Sequence, residues 1–340
     1  MSLESIMAGA ILVSLTFYVL LAGADFGAGV WHLLAHGRTA SAQRALIDRA
    51  IGPIWEANHV WLILSVTVLF TAFPRAFAEI GTSLHIPLTL LLIGIVLRGS
   101  AFAFRTHDVE RAAQRDDRSQ AFWQKMFAVS SMLTPIVLGI AIGAIASGTI
   151  DGSRGDFHDR FIAPWFAPFP LAIGILTLVL FAFLAAVYLV VETRSEELRE
   201  DFRRRAIITS MIGAGWGLIA LGLSNRGAPM IWHALTGTAW GWLVVLSSAV
   251  LAAATLFALW TRQYRMGRVM AAGQAILMLW GWGLAQFPYL LPPAVTVHNA
   301  AASAMTLRWM LVALVLGALL LFPSLYYLMR VFRRVRPFEP

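Results

Sequence analysis

Three ionisable side chains stand inside long apolar runs. Asp25 lies in Gly23-Ala24-Asp25-Phe26-Gly27-Ala28-Gly29, Glu56 in Trp55-Glu56-Ala57-Asn58-His59-Val60-Trp61, and Arg98 in Leu97-Arg98-Gly99. A charge at the centre of a membrane helix costs about 2.5–3.5 kcal/mol on insertion scales, so such residues face a bundle interior, where they pair or handle protons and ions. Two chemistries fit. In one, Glu56 accepts protons, His59 shares its helical face at i+3, and Asp25 or Arg98 tunes its proton affinity through charge and burial. In the other, Asp25 or Glu56 forms an ion pair with Arg98 that only fixes helix packing. One Arg cannot neutralise both acids fully.

The surrounding composition makes the membrane reading firm. Of 340 residues, 59% are hydrophobic and 13% charged, and the mean hydropathy is +0.73. Soluble domains carry about 45–50% apolar and about 25% charged residues. There is no cysteine, which excludes disulfides, thiolate metal sites and thiol nucleophiles. The start of the chain has Glu4 and no basic stretch before its first apolar run, so that run is expected to be retained as a helix.

A spanning helix needs about 20 apolar residues. Nine candidates are read at 7–35, 52–73, 81–105, 123–148, 168–192, 206–224, 232–260, 269–290 and 304–329. The net charge of +8 is patterned between them. Arg38, Arg44 and Arg49, then Arg105, Arg111, Arg115, Arg118 and Lys125, then Arg194, Arg199 and Arg203 to Arg205, then Arg262, Arg265 and Arg268, and finally Arg330, Arg333, Arg334 and Arg336 fall on one side. These are 20 of the 26 cations, against Arg75, Arg154, Arg160, Arg226 and Arg308 opposite. The positive-inside rule then puts the N-terminus outside and the C-terminus in the cytoplasm, and explains the basic charge without nucleic acid. On this topology Asp25, Glu56 and Arg98 meet at similar depth in the cytoplasmic half.

Arg49-Ala50-Ile51 and Arg205-Ala206-Ile207 each precede a helix, and Leu62-Ile63 and Leu218-Ile219 keep the same offset. That suggests two four-helix units, 1–150 and 151–300, followed by a ninth helix and basic tail over 301–340. Gly23 and Gly27 have the spacing that lets helices approach closely. Loop 149–167 is expected to cap the outer surface. Eight histidines invite a haem test. His59 and His85 lie at different depths, no helix carries two at the spacing that stacks two haems across a membrane, and His32 and His36 sit beside a basic loop and read as interfacial.

With these motifs in view, the chain resembles subunit II of the cytochrome bd-type quinol oxidases. The resemblance is carried by Ala24-Asp25-Phe26-Gly27, the run Pro53 to Ile63, Phe73-Pro74, Leu97-Arg98-Gly99 and Phe104-Arg105. It implies an all-α integral membrane protein with nine helices, as two four-helix bundles related by a pseudo-twofold plus one peripheral helix. It also implies a heterodimer in the bacterial cytoplasmic (inner) membrane, working in respiratory electron transport. Haems b and d would belong to the partner, subunit I, and no cofactor to this chain. Quinol, oxygen, membrane lipid, a single-helix accessory subunit and a structural quinone or lipid are the further partners expected. The resemblance places Glu56 on a proton route toward subunit I, where many relatives have Asp, and puts His59 where some relatives have Gln. Trp55, Trp61 and the apolar face of the second and third spans are candidates for the subunit contact. The rival from the residues alone is a secondary transporter with a proton-coupled carboxylate site.

Overall fold

The structure, a computed structural model, describes residues 2–106, 117–150 and 155–334; the side chains of 51–56, 105–106, 117–121 and 328–334 lie outside the described residues. Helix α1 (Leu3–Leu33) starts where the Ser2 hydroxyl accepts from the Ser5 amide, satisfying one of the orphan donors of a first turn. Helix α2 (Ala40–Ala72) stops at Phe73, because Pro74 cannot continue the hydrogen-bond ladder and instead opens the short helix α3 (Pro74–Ser83). Helices α4 (His85–Thr106) and α5 (Asp117–Ser147) follow. A one-turn helix α6 (Phe157–Phe161), capped by Asp156, lies within the expected outer loop.

The order then runs again. Helix α7 (Pro168–Glu192) leads to α8 (Glu196–Gly227), which also stops before a proline. Pro229 opens the short α9 (Pro229–Thr236), and α10 (Ala239–Trp260) and α11 (Tyr264–Gln286) complete the set. Phe73 and Ala228, the residues before the two prolines, have similar backbone angles (φ −134°, ψ 60° and φ −155°, ψ 67°). Helix α12 (Ala304–Arg334) rests on α2 and α1. Its spanning stretch is only 6% buried, which makes it peripheral.

Two expectations need correction. The candidate 232–260 is two helices, because Thr238 caps α10 by accepting from the Gly241 amide and so separates it from α9. The candidate 269–290 ends at Gln286. Pro288, Pro292 and Pro293 exclude a helix beyond it, and a small hairpin, β1 (Tyr289–Leu291) with β2 (Val295–Thr296), packs its Leu291 and Val295 into the core formed with Met7, Phe73 and Leu84. Among the described residues seven helices are long and apolar enough to cross a membrane, or eight if Ala57–Ala72 and the segment bent 116° from it at Pro74 count as one. Helix α11 is long enough, but Arg265, Arg268, Gln274 and its glycines dilute its apolar character.

The centre is the contact of α1 with α7. A Cβ added at Gly27 would overlap the Phe181 carbonyl, and one at Gly23 would meet the Leu184 side chain. The Trp31 indole donates to the Ala182 carbonyl at 2.8 Å, and Phe26 stacks near Phe181. Helices α5 and α7 also approach closely, through Gly139, Gly143 and Gly174. Gly27→Ala is therefore expected to destabilise the protein by at least about 1–3 kcal/mol, because a backbone carbonyl rather than a flexible side chain must move. Yield and thermal midpoint of the purified protein check this, with Gly81→Ala, which meets open space, expected to match the parent.

Candidate functional site

Asp25 and Arg98 meet in the interior. Asp25 is 0% exposed and Arg98 1%, and the Arg98 Nη2 donates to Asp25 Oδ1 in a short charge-assisted bond. The same nitrogen donates to the Asp25 backbone carbonyl at 3.1 Å, and Arg98 Nε donates to the Ser131 hydroxyl at 3.1 Å. From α2, Asn58 Nδ2 donates to Asp25 Oδ2 at 2.6 Å. Phe26 and Phe127 stack on the guanidinium at 4.6 and 5.0 Å from their ring centres. Each of α1, α2, α4 and α5 thus contributes one polar side chain, and two aromatic rings cover the faces of the guanidinium. In such surroundings an ion pair survives only with good geometry and further hydrogen bonds, and both carboxylate oxygens have partners here.

Two of the four site residues read from the sequence are brought together. His59 is half-buried on α2, next to Asn58. Glu56 lies on α2 two residues before Asn58, and its side chain, like that of Trp55, is outside the described residues. Asn58 and Ser131 were not singled out from the sequence. A signal for Asn58 was present, as an amide inside an apolar helix close to two titratable groups. Ser131 had none, since a serine in a helix commonly bonds its own backbone, as Ser65, Ser130 and Ser224 do here.

The α1–α2 seam is polar along its length. The Ser14 hydroxyl donates to the Trp61 carbonyl at 2.7 Å, Asn58 meets Asp25, and His32 Nε2 lies 4.0 Å from Asp48 Oδ1. His32 is 3% exposed, not interfacial as expected, because the Phe127 ring and α2 cover it. Trp61 is also interior, 4% exposed and stacked on Phe17 at 4.2 Å. The expectation that it contacts another subunit is therefore withdrawn, since the Phe17 and Phe322 rings of α1 and α12 occupy that side. His36, His85, His158, His233 and His298 are exposed, and His107 lies outside the described residues.

Residues 3–332 match the model of the family described as cytochrome bd terminal oxidase subunit II. The chain belongs to that family. It is 23% identical over 346 residues to a Bacillus subtilis (strain 168) protein assigned provisionally as a cytochrome bd menaquinol oxidase subunit II, covering 98% of this chain and 96% of that one. To the cytochrome bd ubiquinol oxidase subunit 2 of the same organism it is 31% identical over 141 residues, 41% of this chain and 39% of the relative. To the cytochrome bd-I ubiquinol oxidase subunit 2 of Escherichia coli (strain K12) it is 26% identical over 187 residues, 54% of this chain and 47% of the relative. The fold matches a chain in the structure of bd oxidase from Geobacillus thermodenitrificans, with a TM-score of 0.75 and 22% identity over 98% of this chain and 99% of that one. The protein is thus a multi-pass membrane subunit of a respiratory quinol oxidase complex, an oxidoreductase, and subunit II implies a subunit I.

Arg98→Gln leaves the Asp25 carboxylate buried without its cation, and is expected to destabilise the fold by about 3–5 kcal/mol. Adding Asp25→Asn should recover part of that loss, because the double variant buries no net charge. Thermal unfolding of the assembled complex checks both; equal losses in the single and double variants would mean that Arg98 acts through packing and not through charge.

Proposed function

We propose that the chain is a haem-free subunit II that supports the haem-bearing subunit I and conducts cytoplasmic protons toward it, while the complex oxidises quinol and reduces oxygen to water. The observation that carries this is how two buried charges, Asp25 and Arg98, are already used. Arg98 is taken up by Asp25, with both carboxylate oxygens bonded, so the pair acts as a fixed, net-neutral polar centre. Glu56, half a turn before Asn58 on α2, is then the acid left to take up and release protons, with the half-buried His59 beside it in sequence.

Other parts of the reading have their own supports. The 20-to-5 split of cations favours a periplasmic N-terminus and cytoplasmic C-terminus. The repeated order of α1–α5 and α7–α11 favours two four-helix bundles related by a pseudo-twofold, with α2 and α11 as spans beyond the seven and α12 as the peripheral ninth. Relatives are named for menaquinol and for ubiquinol, so quinol is the shared substrate class. The exposure of five histidines supports haem ligation in the partner rather than here. Exposed Ile63, Val66 and Phe70 of α2 and Leu92, Ile93 and Val96 of α4 form the face offered to subunit I. The apolar surfaces of α8 and α10 are left to lipid, a structural quinone or a single accessory helix.

Glu56→Gln tests the proton role in membranes carrying the complex. Haem content is expected to stay at the parent level while quinol-driven oxygen consumption and proton uptake fall by about a hundredfold, the lower range for losing a general acid–base group. Unchanged turnover with intact haem would sink the role of Glu56, and loss of haem together with turnover would make it an assembly residue.

A further inference from the structure

Three buried polar atoms around the ion pair have no hydrogen-bond partner within the protein: the Tyr18 hydroxyl on α1, Asn58 Oδ1 on α2 and Arg98 Nη1 on α4. Their residues are 1%, 0% and 1% exposed. Leaving a buried donor or acceptor unmade costs about 1–3 kcal/mol, so three such atoms around one ion pair call for a ligand. Asn58 and Arg98 flank the two oxygens of Asp25, and Tyr18 lies within electrostatic reach of both Asp25 and Arg98. The chemistry of the three is complementary: the guanidinium nitrogen donates, the amide oxygen accepts and the phenol does both. Water, which typically makes about three hydrogen bonds in protein interiors, fits that set. Seven residues of helix separate Tyr18 from Asp25, a rise of about 10 Å, and the Tyr18 hydroxyl makes no direct bond to it, which leaves the link to water.

We infer that Tyr18 Oη, Asn58 Oδ1 and Arg98 Nη1 hold internal water beside Asp25, and that Tyr18 is the next step of the proton route beyond the ion pair. The inference rests on the proton-conducting reading above. A proton arriving on the water bonds to the Tyr18 oxygen as one water O–H bond breaks. The former Tyr18 O–H bond breaks in turn, and its proton passes to a second water. The phenol is neutral before and after, and nothing is oxidised or reduced.

Tyr18→Phe removes only the hydroxyl from a packed ring. In the assembled complex the haem spectrum is expected to match the parent, with oxygen consumption and proton uptake lowered at least about tenfold and the solvent-deuterium effect on turnover changed. Turnover and deuterium effect both at parent level, with haem intact, would overturn the relay role. Asp25→Asn in parallel separates the two ideas. If it abolishes turnover with haem intact while Tyr18→Phe does not, only the Tyr18 step fails; if neither variant matters, the proton route does not use this cluster. Should Tyr18→Phe fail to assemble, a map of the unmodified complex decides. Density bonded to Tyr18 Oη, Asn58 Oδ1 and Arg98 Nη1 is expected. A map with ordered waters elsewhere in the core and none there would overturn the site.

Discussion

A single guanidinium, carried into the interior on α4, sets the terms for the first half of this protein. Burying Arg98 is affordable only because Asp25 lies opposite it, Ser131 takes a second nitrogen and two aromatic faces lie against the plane. Those partners come from α1 and α5, and Asn58 adds α2. Moving any one of the four helices by an ångström would strand a charge or an amide. Apolar packing in lipid has no such directional demand, because hydrocarbon tails are as apolar as leucine. The polar centre therefore specifies register in a bundle whose outer surfaces specify little.

Among the described residues the second half shows no comparable centre and is held differently. Its buried cation, Arg205, lies near the start of α8, where it bonds Gln43 at 3.0 Å, pairs with Asp201 and stacks on Trp31 and Phe202. Arg203 and Arg204 engage Glu200 nearby, and Arg262 reaches Glu196. These pairs tie helix ends rather than helix middles. The two halves thus share an order of elements while differing in where they keep their charge, as expected if one half carries chemistry and the other mainly support.

Much of the site was legible because membrane burial makes charge conspicuous. Counting residues inward from each end put Asp25 and Arg98 at one depth, and the structure joins them. What the count could not supply was the neighbourhood. Asn58 and Ser131 are ordinary helix residues until α2 and α5 are brought beside α1, and Tyr18 gains meaning only when its hydroxyl is found unpartnered. His32 was misjudged because sequence position near a basic loop says nothing of the Phe127 ring that covers it. Among the helices, hydropathy could not see the Thr238 cap inside an apolar stretch. The run 269–290 was extended too far because Phe287, Tyr289 and Leu290 are apolar enough to mask the prolines among them.

The contact between α1 and α7 has a mechanical consequence. Where helices meet through side chains, they can slip, since rotamers readjust as one surface shears over another. At Gly27 there is no such layer: backbone lies against backbone, and the glycines of α5 and α7 repeat the arrangement. A seam of that kind behaves like a keyed joint, resisting both sliding and rocking of one half against the other. The chain is thereby suited to be a stationary hull, a fixed wall against which a partner can be seated.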